Sequence, residues 1–207
     1  MLYTILKPVA VALMRWWFGL RVRGAEHVPA SGPVLVVSNH QSVLDPPLVG
    51  GATARTLHFM AKAELFRIPL FGRLIRSLNA HPVRREGSDP RALKVAARLL
   101  EDGHALLAFP EGTRSRDGSL RAGKPGVGML AVLSGATVVP AYVAGTLEAL
   151  PRGRWWPRRC KVHVSFGPAL HFKPDLGPGR KDRYREAAQE MMRAISQLRT
   201  HHEQQQH

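Results

Sequence analysis

Cysteine is almost absent. Cys160 is the only one in 207 residues, so the chain can close no internal disulfide and build no cysteine-based zinc cluster. The lone thiol reads as a packing residue and suits a reducing compartment. Acidic residues are scarce as well, 15 Asp and Glu against 30 Lys and Arg, which leaves a net charge of +15 and a pI near 11.3. Such an excess implies a polyanionic partner, either nucleic acid or an anionic membrane surface. No long apolar run is present. Residues 1–20 are apolar at most positions, but Lys7, Pro8 and Arg15 interrupt them, short of the ~18–20 residues that span a bilayer. They also lack the basic opening and small-residue cleavage site of a secretory leader. No repeat and no domain linker breaks the chain, and 44% apolar content suits one domain with a sizeable core.

Trp16, Trp17 and Phe18 beside Arg15 read in two ways, as a segment lying in a membrane interface or as a helix packed on its own domain. Beyond them, short apolar runs at 34–37, 57–60, near Val83, 105–109, 137–143 and 162–166 read as strands. Between them lie helical patterns, the best signalled having Asp89 as N-cap, Pro90 at its first position, Leu93, Ala96, Ala97 and Leu100 on one face and Gly103 as its stop. Residues 69–78 and 127–133 have helical spacing too. A closing helix carries the stripe Tyr184, Ala187, Ala188, Met191, Met192, Ile195 and Leu198, which reads as core. This alternation predicts a single α/β domain with a mixed, largely parallel sheet flanked by helices, its functional loops gathered at the strands' carboxyl ends. The expected organisation is an N-terminal interfacial segment at 1–20, the α/β domain at 21–200 and a disordered polar tail at 201–207.

One stretch carries chemistry: Ser38-Asn39-His40-Gln41-Ser42-Val43-Leu44-Asp45-Pro46-Pro47. Residues five apart on a helix face different ways, so His40 and Asp45 can meet only across a loop. A carboxylate accepting from one imidazole nitrogen fixes the tautomer and leaves the other nitrogen to take a proton, a general-base dyad. The alternative is that Asp45 merely caps a helix starting at Pro46 and His40 is a surface residue. Phe109-Pro110-Glu111-Gly112-Thr113-Arg114-Ser115 leaves a strand at the same expected end. There Gly112 permits close backbone approach, Arg114 can fork onto a phosphate and Glu111 can accept from a hydroxyl, unless this is only a polar turn. Arg84-Arg85 adds a cationic edge. Arg152-Gly153-Arg154-Trp155-Trp156-Pro157-Arg158-Arg159-Cys160-Lys161 mixes indole and guanidinium, as membrane interfaces and single-stranded nucleic-acid sites both do, and as a packed basic loop also can.

Taken together, these blocks resemble the glycerolipid acyltransferases of the 1-acylglycerol-3-phosphate acyltransferase family. Asn39-His40 to Asp45 is similar to that family's NHxxxxD block, Pro82-Val83-Arg84-Arg85 to its acceptor block, residues 109–115 to its FPEGTRS block and Val138-Val139-Pro140-Ala141-Tyr142-Val143 to its last block. Ala61-Lys62-Ala63-Glu64-Leu65-Phe66 and residues 123–131 also look familial, so the resemblance covers roughly residues 20–170. Arg84 departs from it, standing where many members have an acidic residue, and the N-terminal region is shorter than the two-helix anchor of some members.

The resemblance implies a glycerolipid acyltransferase-like fold in which His40 deprotonates the acceptor hydroxyl and Asp45 holds the ring. Arg85, Glu111, Gly112, Thr113 and Arg114, with Lys62, would hold the acceptor phosphate and glycerol, and Pro140 would shape the site or border the acyl channel. The reaction so implied transfers an acyl chain from acyl-CoA or acyl carrier protein to 1-acylglycerol-3-phosphate, making phosphatidic acid, with no metal and no cofactor beyond that co-substrate. It would be peripheral or monotopic on the cytoplasmic face of the cell membrane, with an anionic membrane surface and acyl carrier protein as the partners to consider and nucleic acid not expected. Another lysophospholipid acceptor is the nearest alternative. A non-enzymatic membrane or nucleic-acid binding module explains the charge equally well. A serine hydrolase lacks its GxSxG, and a metal hydrolase using His40, Asp45 and Glu111 lacks a known ligand spacing.

Overall fold

The structure, a computed structural model, describes residues 2–84, 89–174, 177 and 179–205. A helix α1 (Leu2–Phe18) leads to strand β1 (Arg21–Arg23), then β2 (Val34–Ser38), α2 (Asp45–Gly51), β3 (Leu57–Lys62), α3 (Pro69–Ser77) and β4 (Ala80–Val83). The chain continues through α4 (Pro90–Glu101), β5 (Ala105–Ala108), α5 (Pro125–Ser134), β6 (Thr137–Ala144), the single turn α6 (Thr146–Ala149), β7 (His163–Phe166) and α7 (Arg180–Gln204). The strands form one sheet in the order β1-β7-β6-β2-β5-β3-β4. All pairs are parallel except β6 with β7.

The sheet's alternation divides the core into two layers. Val34, Val36, Leu57, Ala105, Leu107, Val139 and Val143 face α1 and α2, packing with Phe18, Leu48 and Val49. Leu35, Val37, Leu106 and Val138 face the opposite way, onto Ala96 and Leu100 of α4, Leu130 and Ala131 of α5, and Ala187, Met191 and Ile195 of α7. Every residue of β2 is buried, as its position inside the sheet demands. A Cβ on Gly128 would run into the Tyr184 carbonyl oxygen, so this glycine lets α5 and α7 approach closely.

Several boundaries differ from those read in the sequence. Arg21–Arg23 is a strand on the sheet's edge, where alternating charge hides it from an apolar-run search. Asp45 is the first residue of α2 rather than its cap, and its carboxylate turns back to the preceding loop. Residues 201–204 continue α7 where a disordered tail is expected; 206–207 lie outside the described residues. Residues 2–18 form one helix packed on its own domain through Met14, Trp17 and Phe18, with Val9, Leu13 and Trp16 exposed. Lys7, which interrupts the apolar run, donates to the carbonyls of Thr53 at 2.7 Å and Arg55 at 2.8 Å and pins α1 to the chain after α2. No helix among the described residues is long and apolar enough to cross a membrane.

Candidate active site

The site forms where four parallel strands end together: β2 runs into His40, β5 into Glu111, β3 ends at Lys62 and β4 leads to Arg84. His40 Nδ1 donates to Asp45 Oδ2 at 2.8 Å, and the same oxygen accepts the backbone N–H groups of Gln41 at 2.7 Å and Ser42 at 2.8 Å. The carboxylate therefore sets both the loop and the ring. With Nδ1–H committed to Asp45, the basic lone pair of the neutral imidazole is on Nε2. Both residues are buried, His40 at 4% exposure and Asp45 at 0%, which excludes the surface-histidine reading. Phe109 stacks on the imidazole with centroids 3.9 Å apart and planes 16° from parallel, fixing its rotation.

Four further contacts hold the loop. Glu111 Oε1 accepts the His40 backbone N–H at 3.0 Å, and the His40 carbonyl accepts from Ser115 N–H at 2.7 Å. The Asn39 amide pairs with both the carbonyl (2.9 Å) and the N–H (2.8 Å) of Val143, extending the β2–β6 ladder by one side chain. Ser42 Oγ donates to the Leu150 carbonyl at 2.8 Å. Burial pushes the Glu111 carboxyl above the usual glutamate range, against the opposing pull of the His40 and Arg121 N–H groups.

An apolar cavity of about 540 Å³ opens beside the ring. His40, Phe109, Gly112 and Lys124 border it, and Ala96, Leu106 and Leu130 line it between the sheet, α4 and α5. Gly112 has φ +68°, and a Cβ there would meet the Lys124 side chain at 2.9 Å. Lys124 thus lies directly over the Gly112 turn, its backbone N–H bonded to the Pro110 carbonyl at 2.8 Å.

The expected binding residues are distributed unevenly around this centre. Glu111 is buried beneath the His40 loop. Thr113 and Arg114 are half-buried on the next turn, where Arg152 donates to the Arg114 carbonyl. Lys62 is half-exposed at the end of β3, 3.4 Å from Glu64. Arg85 lies outside the described residues, though Arg84 borders the cavity. Asp89 accepts the Arg84 N–H at 2.8 Å and caps α4 through Arg91 and Ala92, which fixes both ends of that connection. Pro140 is not among the residues lining the cavity. Its carbonyl accepts from Gly167 N–H at 2.8 Å, one residue past the end of β7, so its missing donor falls where the strand partner has already ended. Lys124, the Phe109 stack and the Asn39 amide pairing escape a reading by motif. For Lys124 the one available signal is its place just before the Pro125-Gly126 helix start.

A buried histidine–aspartate pair at the carboxyl ends of parallel strands, beside an apolar cavity, is an arrangement able to move a proton next to an apolar ligand. Comparison with known proteins agrees with that class. The family model described as Acyltransferase matches residues 19–144, and the chain belongs to that family. It is 35% identical over 142 residues to a chloroplastic 1-acyl-sn-glycerol-3-phosphate acyltransferase of Arabidopsis thaliana, a match covering 66% of this chain and 39% of that protein. The enzyme of that name from Bacillus subtilis is 31% identical with 74% of each chain covered. The one from Pseudomonas aeruginosa is 34% identical over 82% of this chain and 66% of its own length. The chain thus spans about two fifths of the plant relative's length and about three quarters of the Bacillus one. The crystal structure of the 1-acyl-sn-glycerophosphate acyltransferase PlsC from Thermotoga maritima superposes with a TM-score of 0.76 at 31% identity, covering 95% of this chain and 79% of that one.

Proposed function

We propose that this protein transfers an acyl group from a thioester donor, acyl-CoA or acyl carrier protein, to the free hydroxyl of 1-acylglycerol-3-phosphate, giving phosphatidic acid. The observation that carries the reading is the Asp45–His40 pair at the border of an apolar cavity. His40 Nε2 takes the proton of the acceptor hydroxyl as its oxygen attacks the thioester carbonyl. Asp45 stabilises the imidazolium so formed. Collapse of the tetrahedral adduct breaks the carbon–sulfur bond, and the imidazolium returns its proton to the departing thiolate. No covalent enzyme intermediate is needed. General-base assistance of this kind supplies ~10²–10⁴ in rate, and holding both substrates together supplies much of the remainder.

The acceptor phosphate is assigned to Arg85 and Arg114 with the Gly112–Thr113 backbone, and to Lys62 from the neighbouring strand. Glu111 acts on the acceptor indirectly, by positioning the His40 loop. The acyl chain is assigned to the cavity bordered by Leu106 and Leu130. Exposed Trp16, Trp155 and Trp156, together with Arg159, whose guanidinium lies 4.8 Å above the Trp16 ring, support peripheral attachment to a membrane, which we place at its cytoplasmic face as part of this proposal.

The test measures thiol release from a long-chain acyl-CoA or acyl carrier protein in detergent or lipid, with product lipid identified, for wild type and His40→Ala. Acceptor-dependent release lost in the variant supports the proposal. Equal turnover of acceptors with and without the phosphate would favour another lysophospholipid. Absence of turnover with every donor and acceptor, from a folded protein that still binds lipid, would favour a binding module.

A further inference from the structure

A second cavity, of about 670 Å³, lies on the other side of the His40 loop and differs from the first in chemistry. Gln41, the next residue after His40, lines it, and with it Arg21, Arg23, Lys161, His163 and Arg199. Its position follows from the topology. Strands β1 and β7 run against β6, so their amino ends, with Arg21 and His163, lie beside the carboxyl end of β6. The cavity therefore opens at the same end of the sheet as the His40–Asp45 pair.

Its walls are cationic and incompletely neutralised. Four cationic side chains line it, Arg21, Arg23, Lys161 and Arg199, against two carboxylates, Asp117 and Glu148; the hydroxyls of Ser119 at 2.6 Å and Ser115 at 3.0 Å hold Asp117 in its charged form. Arg199 is bonded to Glu203 at 2.7 Å. None of the ion pairs among the described residues involves Arg21, Arg23 or Lys161. The His163 imidazole registers that field: burial first, then His202, Arg21, Arg23 and Lys161, hold it below the usual histidine range. Tyr142, His202 and His163 supply a partly aromatic wall, with His202 centroids 5.9 Å from Tyr142 and 4.9 Å from His163.

Two cavities, one apolar and one cationic, thus flank a single proton-transfer loop. An acyl thioester of coenzyme A has that polarity, with hydrocarbon on one side of the reacting carbonyl and a phosphorylated nucleotide at the end of a flexible arm on the other. We infer that the cationic cavity binds the phosphorylated nucleotide end of a coenzyme A donor. This rests on the acyl-transfer reading above and adds a second anion site to it. The acceptor phosphate does not account for this cavity, because the cations assigned to it follow β3, β4 and β5, whereas these belong to β1, to the approach to β7 and to α7.

Arg21 and Lys161 are exposed, so their replacement leaves the core untouched. The experiment compares wild type with Arg21→Gln, Lys161→Gln and the double variant, using acyl-CoA and the matching acyl-pantetheine as donors. In the double variant KM for acyl-CoA should rise about tenfold or more, as loss of charged phosphate contacts implies. Its kcat, its KM for the acceptor and its turnover of acyl-pantetheine should not change. Adenosine 3′,5′-bisphosphate should compete with acyl-CoA in wild type and not in the variant, while inorganic phosphate at equal concentration should not. An unchanged acyl-CoA KM would overturn the inference, as would a rise shared with acyl-pantetheine or with the acceptor. Turnover of acyl-pantetheine without use of acyl-CoA would overturn it and leave acyl transfer standing. Calorimetric titration with adenosine 3′,5′-bisphosphate reads the same site without turnover: binding weakened about tenfold or more in the double variant supports it, and equal or absent binding overturns it.

Discussion

Glu111 Oε1 accepts the backbone N–H of His40 at 3.0 Å, joining two loops whose residues stand 71 positions apart. The contact makes Glu111 a positioning residue. Glu111→Ala would leave a buried N–H unpaired, and such orphans cost about 1–3 kcal/mol, so lower stability in urea and lower kcat should appear together. Glu111→Gln keeps an accepting oxygen and should spare both. Burial raises the wild-type carboxyl, so the folded chain holds this proton to higher pH than the unfolded chain does. The group's contribution to stability then falls as pH rises from the ordinary glutamate value. The difference in stability between wild type and Glu111→Gln should shift in that direction with pH.

Asp45 Oδ2 accepts three hydrogens, from His40 Nδ1 and from the backbone of Gln41 and Ser42. In Asp45→Asn an amide oxygen can still take the two backbone donors, but the charge that stabilises an imidazolium is gone. The expected result is a fall in kcat of ~10²–10⁴ with a near-native melting curve. Asp45→Ala also strands the two backbone donors and should lower the melting temperature as well. A melting curve as native as that of Asp45→Asn would show that the carboxylate does not organise the loop.

Chain-length choice should respond to the wall of the apolar cavity. Ala96 borders it from α4 at 2% exposure, and Leu106 and Leu130 border it from β5 and α5. Ala96→Leu adds bulk inside that volume at a packing cost of about 1–3 kcal/mol. The ratio of kcat/KM for long-chain over short-chain donors should drop about tenfold or more. A ratio that does not move would place the acyl chain elsewhere.

The half-buried His58 should give the protein an acid sensitivity. His58 Nδ1 and His81 Nε2 are 3.0 Å apart, and the His104 ring lies 4.7 Å from that of His58. One of the facing nitrogens must donate, so the pair cannot accept a second proton without breaking. Burial, then His104 and His81, push His58 down to about 4 from an ordinary value of 6.5. The unfolded chain binds this proton first, so stability is full above about pH 6.5 and drains as pH falls toward 4. His58→Gln should flatten the fall in melting temperature across that window. An equally steep fall would assign the acid sensitivity to other groups.

Elements with a local signal were legible in the sequence. The apolar runs gave β2, β5 and β6, and Asp89, Pro90 and Gly103 marked both ends of α4. His40 and Asp45 were legible as a pair because a five-residue separation admits only a loop. What local pattern does not encode is contact across the chain. The Asn39–Val143 pairing spans 104 positions, and Lys124 reaches the Gly112 turn only through the packing of α5. Asp45 misleads locally, since an acidic residue before two prolines has the form of a helix cap, while its carboxylate serves the loop behind it.

Membrane attachment should depend on two kinds of side chain that salt separates. Trp16, Trp155 and Trp156 are 66%, 96% and 80% exposed, and an apolar cavity lies between Trp16 and Trp156. Helix α3 adds exposed Leu70, Phe71 and Leu74 beside Arg73 and Arg76. Basic residues near an anionic surface contribute ~1 kcal/mol each, an attraction that falls off within a Debye length. Apolar insertion is not screened in that way. Trp16→Ser with Trp156→Ser should therefore weaken sedimentation with both neutral and anionic vesicles at any ionic strength. Arg73→Gln with Arg76→Gln should weaken it only with anionic vesicles and only at low salt. If the tryptophan pair can be removed without loss on either vesicle, α1 serves the fold alone and attachment resides in α3.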